Sequence, residues 1–140
     1  MKKCLYLIAI LLVFLSSCAS LSFSGKLLEY YSDESNYVSA TGVISHIKYS
    51  DNRDVLCIAF SETNYTFADN NFVLVGKNLL TAQQTGIDDK LAIGDTVTFS
   101  CAPRYFGDGY LIPLVSLVHD GETLLDIQDG IPYLLEWLQE

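Results

Sequence analysis

Apolar and polar positions alternate from Tyr37 to Tyr49, with Val38 and Ala40 in one phase, Val43 and Ile47 in the other, and Gly42 where the phase slips. A slip at glycine predicts one long strand bent by a bulge. The run Tyr49-Ser50-Asp51-Asn52-Arg53-Asp54 predicts a polar turn, and the unbroken apolar run Val55 to Phe60 predicts a strand covered on both faces. After a looser polar stretch from Glu62 to Asn71, Phe72 to Val75 predicts a third strand closed by Gly76. Lys77 to Gln84 then places Leu79, Leu80 and Gln83 at helical spacing and stops near Gly86.

The second half is cleaner. Ile93 to Cys101 predicts a strand with Val97, Phe99 and Cys101 on one face and Thr96, Thr98 and Ser100 on the other. Its partner is expected over Tyr110 to His119, across the loop from Pro103 to Gly109. Asp120-Gly121 is the dipeptide of a tight hairpin with two positive φ angles, leading into Glu122 to Leu125. Ile131, Leu134, Leu135 and Leu138 stand at i, i+3, i+4 and i+7, which predicts a terminal helix with Pro132 near its first turn. A helix so short persists only when its apolar stripe is docked, so self-packing with Trp137 partly buried is expected.

The first 36 residues follow neither period. Met1-Lys2-Lys3 is a short positive start, and Leu5 to Leu15 is an apolar core too short to span a bilayer, which needs about 20 residues. Leu15-Ser16-Ser17-Cys18-Ala19 resembles the bacterial lipobox, in which small residues admit an extended backbone to the peptidase and the cysteine thiol takes the diacylglyceryl group. The resemblance implies a signal peptide over 1–17, lipidation at Cys18, a lipidated tether over 18–36 and a domain over 37–140. The implied location is extracytoplasmic, lipid-anchored to a bacterial cell membrane or outer membrane. Residues 27–31 could form one or two helical turns within the tether.

Three strands, a helix and two strands is the order of the OB-fold, a five-stranded Greek-key barrel. The long first strand with Ala40-x-Gly42-Val43-x-x-x-Ile47, the helix between the third and fourth strands, and Ile93-Gly94-Asp95-x-Val97 sharpen that order. Together they resemble the small bacterial OB-fold lipoproteins of unknown function and the tRNA-binding, anticodon-type barrels grouped with them. The resemblance covers about residues 37–119. It implies a mainly β fold, a five-stranded OB-like Greek-key barrel with a helix between strands three and four, to which the C-terminal hairpin and short helix are additions.

Charge narrows the function classes. Of eight basic residues two lie in the leader, leaving six against 17 acidic residues and a side-chain charge of −11 for the remainder. The six are scattered, at Lys26, Lys48, Arg53, Lys77, Lys90 and Arg104. Nucleic acid is therefore not the expected partner, because phosphate neutralisation needs several cations on one face. Only His46 and His119 are histidines, and no nucleophile elbow or nucleophile–base spacing occurs, so no enzyme activity is expected. Cys57, Cys101 and the two histidines lack the short spacing of a metal knuckle, and the carboxylate pairs lack the order of a calcium loop. No metal and no cofactor are expected.

OB-folds meet ligands on the second and third strands and on the loops joining strands one to two and four to five. Tyr49 and Arg53 in the first loop, and Arg104, Tyr105, Phe106 and Tyr110 in the second, are the candidate ligand-binding residues. Aromatic faces and guanidinium groups give contact area at low ordering cost. The alternative role for those aromatics is to close the barrel mouth. Cys57 and Cys101 are a candidate disulfide or two free thiols; Cys101 shares the inward phase of Phe99, and the phase of Cys57 is open. The expectation is a membrane-anchored, non-enzymatic module that binds a protein or another envelope component. A small-molecule or glycan-binding module using residues 104–110 is the alternative.

Overall fold

A computed structural model describes residues 25–68, 70–103 and 111–140. Helix α1 (25–32) and a 3-10 turn (Glu34–Asn36) precede strand β1 (Val38–Tyr49), which is followed by β2 (Val55–Thr63) and β3 (Asn71–Val75). Helices α2 (Gly76–Gln84) and α3 (Ile87–Lys90) lead to β4 (Thr96–Cys101), β5 (Ile112–His119), β6 (Glu122–Leu125) and helix α4 (Ile127–Leu138). The fold is mainly β, a six-stranded sheet in the order β3-β2-β1-β4-β5-β6. The neighbours in that order are antiparallel, and β3 also pairs in parallel with β5 through Phe72–Ile112 and Val73–Pro113. Pairing thus runs from β1 through β2, β3, β5 and β4 back to β1.

The bend in β1 is real but its place differs from the expected one. Ala40, Gly42 and Ile44 all face inward, and the phase changes at Ser45, where Ile44 pairs with Phe60 and His46 with Ala59. Ser61 is the corresponding extra residue on β2. Ile44, and not Val43, is therefore the core residue, while Ile47 and Tyr49 pack against the core after the bulge. Gly42 serves a different end: a Cβ there would lie 2.8 Å from the Phe60 ring. The glycine makes room for the aromatic, and the serine bulges bend the strands.

The interior draws residues from all six strands, alternate ones in β2, β3 and β4 and the adjacent Leu124 and Leu125 in β6. Phe60, Phe72 and Phe99 pack with centroids 4.6–5.1 Å apart, Phe60 stacked on Phe99 and Phe72 tilted against both, at separations that favour aromatic pairs. Val97, Phe99 and Cys101 are buried as the alternation predicted, and Thr98 is exposed. Strand β4 starts three residues later than expected, because Ile93-Gly94-Asp95 is a turn: Asp95 Oδ2 accepts from Ala92 N and Gly94 takes φ +95°. Ile93 is 65% exposed. The Asp120-Gly121 turn has φ values of 50° and 76°, the predicted hairpin geometry.

The helices depart from their patterns more than the strands do. In α2 the inward positions are Asn78, Leu79 and Ala82, whereas Leu80 is exposed. Ile87 of α3, an element absent from the sequence reading, is fully buried after Gly86 reverses the chain at φ +94°. Asp126 caps α4 by accepting from Gln128 N at 2.8 Å, so the helix begins at Ile127 and Pro132 falls inside it. Proline has no N–H to give the carbonyl four residues back, and that residue, Gln128, is exposed to solvent. No described helix is long and apolar enough to cross a membrane.

Candidate functional site

Tyr49 and Arg53 meet. Arg53 takes φ +60° in the turn after β1 and folds its guanidinium over the Tyr49 ring, 4.0 Å from the centroid. The Tyr49 hydroxyl donates to Asp88 Oδ1 at 2.6 Å and accepts from Gln83 Nε2 at 3.2 Å. Arg53 Nη2 stands 3.9 Å from Asp88 Oδ2. Burial against the helices raises the phenol pKa, and the hydrogen bond to Asp88 raises it further. The ring face and hydroxyl that would greet a ligand are thus already engaged, clasping the β1–β2 turn to α2 and α3. Arg104, Tyr105, Phe106 and Tyr110, and the lipidation candidate Cys18, lie outside the described residues.

The candidate disulfide is not made: Cys57 and Cys101 are both free thiols. Strand alternation gives the reason, since Leu56 and Ile58 face the inner core and put Cys57 in the outward phase, while Cys101 is wholly buried inside. Burial pushes the Cys101 thiol up to about 12. His46 is exposed beside Ser45, and His119 Nε2 lies 3.5 Å from Asp95 Oδ2 and 3.6 Å from Asp120 Oδ2. Among the described residues no group of three or more His, Cys, Asp or Glu is arranged to hold a metal ion.

The outer face of β2, β3 and β5 is covered by the chain itself. Tyr31 of α1, with no exposed surface, and Leu134 of α4 form one apolar layer with Val73, Val75, Ala102 and Val115, flanked by Val55 and Cys57. The segment expected as tether is described only from residue 25, and from there it is helical and docked on the sheet. Gly130 makes the close approach of α4 possible, because a Cβ there would sit 1.8 Å from the Val115 carbonyl oxygen. Asn78 Nδ2 donates to the Gly130 carbonyl at 2.9 Å, tying α4 to α2. Lys77 Nζ, 2.8 Å from Glu136 Oε1, makes a second tie at the surface.

One open groove of about 390 Å³ lies where the 3-10 turn and the start of β1 face the first turns of α4. Glu34, Tyr37, Val38, Ser39, Ser100, Ile127, Gln128 and Ile131 line it. Its floor is a directly paired couple, Ser39 of β1 against Ser100 of β4. Ser100 is only 8% exposed, yet its hydroxyl has no partner among the described residues. The side chains of Glu34, Ser39 and Gln128 are likewise uncommitted there, whereas the Tyr37 hydroxyl donates to the Tyr31 carbonyl at 2.8 Å. Burial holds the Tyr37 phenol above its ordinary range, and the neighbouring Tyr31 and Tyr30 add to this. A few converging polar groups over an aliphatic wall form the usual chemistry of a binding site.

In the sequence Val38 and Ile131 stood out only as parts of apolar patterns, and none of the groove residues stood out as a site. Ser39 and Ser100 could be read as outward-facing from strand phase, but their pairing, and the seating of Ile127 and Gln128 over them, depend on long-range contacts. No family model, curated protein or solved structure matches the chain.

Proposed function

We propose that this is a lipid-anchored, extracytoplasmic binding module built on an OB-type Greek-key barrel, without enzymatic activity, whose partner is a protein or another envelope component. The return of pairing from β3 through β5 and β4 to β1, with α2 between β3 and β4, supports the barrel. Lys2 and Lys3, the apolar run to Leu15 and the lipobox-like Leu15-Ser16-Ser17-Cys18 support the anchor. Two or more acyl chains give stable attachment where one is marginal.

The observation that carries the binding reading is the contrast between engaged and uncommitted surfaces. OB-type barrels meet ligands on the face of strands two and three, and here that face is packed under α1 and α4. The Tyr49–Arg53 end is internally bonded. The groove beside Ser39 and Ser100 retains open polar groups. A small-molecule or glycan ligand at residues 104–110 ranks second, since the described geometry supports the groove. Anchoring is tested by metabolic lipid labelling: Cys18→Ala should lose the label and accumulate as uncleaved precursor. Full labelling of that variant rules out the anchor.

A further inference from the structure

We propose that the groove between the start of β1 and α4 receives a basic side chain, lysine or arginine, from a partner protein. This deepens the binding-module reading and rests on it. The wall is aliphatic, from Val38, Ile127 and Ile131, with Ile127 38% exposed. The polar groups are one carboxylate, Glu34, and the hydroxyls of Ser39 and Ser100. A long basic side chain matches that order, because its methylene stem packs on apolar surface while its head group seeks a carboxylate and hydroxyl oxygens.

Charge selects the sign of the ligand. Asp33 adjoins Glu34, and Asp126 and Asp129 flank Gln128, and none of these four carboxylates has an ion-pair partner among the described residues. The described cations that do form pairs, Arg53, Lys77 and Lys90, are matched with Asp88, Glu136 and Glu122. Among the described residues none that lines the groove is basic. Asp126 caps the N-terminus of α4, so the positive helix end is set against that carboxylate, and Asp33, Glu34 and Asp129 carry the remaining negative charge. Ser100 is the independent mark of a site: a hydroxyl on a residue more than nine-tenths buried, lining the groove, with no partner among the described residues. An ammonium or guanidinium donor supplies that partner.

The test is an NMR titration of the isotopically labelled full chain in detergent micelles with blocked Gly-Lys-Gly and Gly-Arg-Gly peptides. Blocked Gly-norleucine-Gly matches the stem without the charge, and maltotriose stands for a neutral glycan. Shift changes at Ser39, Ser100, Ile127 and Gln128 are expected with the basic peptides, at least about fivefold weaker binding with norleucine, and weakening as salt rises. Glu34→Gln, at an exposed position, should weaken the basic peptides about fivefold or more with an unchanged melting temperature. Ser39→Ala should weaken them less. Equal binding of the norleucine peptide, preference for maltotriose, or shifts confined to other surfaces overturns the proposal. The titration does not depend on the anchor, so loss of lipid labelling and failure of the groove are separate outcomes.

Discussion

The two faces of the sheet are closed by different means. Inside, Phe60, Phe72, Phe99, Leu74 and Leu117 come from strands that pair with one another, so the same hydrogen bonds that build the sheet assemble the core. Outside, Val73, Val75 and Val115 are covered by α1 and α4, segments more than 90 residues apart in the chain. The inner layer follows from strand alternation, while the outer one needs specific joints: Gly130 against the Val115 carbonyl, Asn78 on the Gly130 carbonyl, and Trp137 over Gly76, where a Cβ would stand 2.7 Å from Trp137 Cδ1. The functional consequence is that helices occupy one face and leave a groove beside their own edge.

The largest effect is expected from breaking the inner layer. Phe99→Ala removes the ring stacked on Phe60 and should cost roughly 3–5 kcal/mol in denaturant unfolding. Thr98→Ala, one residue away on the exposed face, should cost under about 0.5 kcal/mol. Similar unfolding midpoints for the two variants would erase the distinction between the faces.

Breaking the outer layer should be smaller and more local. Gly130→Ala places a methyl into the Val115 carbonyl and should cost roughly 1–3 kcal/mol, the range of overpacked cores. Its signature is separation of α4 from the sheet: Trp137, partly buried in the parent, should shift its emission to the red and become readily quenched by iodide. Amide exchange should accelerate in α4 while β4 stays protected. Uniform acceleration through both elements would show that the two layers form a single cooperative unit.

The third prediction sharpens the comparison through the inner thiol. Cys101 is held neutral to about pH 12 in the folded chain, against a reference value of 9.0. Between those values the unfolded chain loses a proton that the folded one keeps, so stability falls as pH rises above about 9, and it is fully present below that. The slope from this group is at most about 1.4 kcal/mol per pH unit. Cys101→Ala should flatten the alkaline decline measured by denaturant titration from pH 8.5 to 10.5.

Strand positions and the faces of β4 were legible because alternation is local: Val97, Phe99 and Cys101 need only the two-residue period to declare a common side. The Asp120-Gly121 hairpin was legible for a similar reason, since two adjacent residues set its φ values. The bulge was misplaced because Gly42 gives two signals at once. A glycine marks a bend or a close neighbour, and only the Phe60 ring opposite it shows which. Leu80 shows the same limit in helices, where spacing names an apolar stripe but not which residues turn inward once Asn78 is bonded to Gly130.

The candidate site divides along the same line. Sequence placed Tyr49 and Arg53 in one turn, but their engagement with Asp88 and Gln83 depends on a register spanning 34 to 39 residues. The groove residues Glu34, Ser39, Ser100, Ile127 and Gln128 carry no shared pattern, because nothing local couples the start of β1 to the start of α4. By itself the sequence determined the acidic charge, the periods of most strands, the hairpin and the apolar stripe of the last helix, all properties of near neighbours. Tertiary structure alone decided which face each helix covers, which polar groups are satisfied and which remain open, because desolvation and hydrogen bonding at those places are settled by residues far away in the chain.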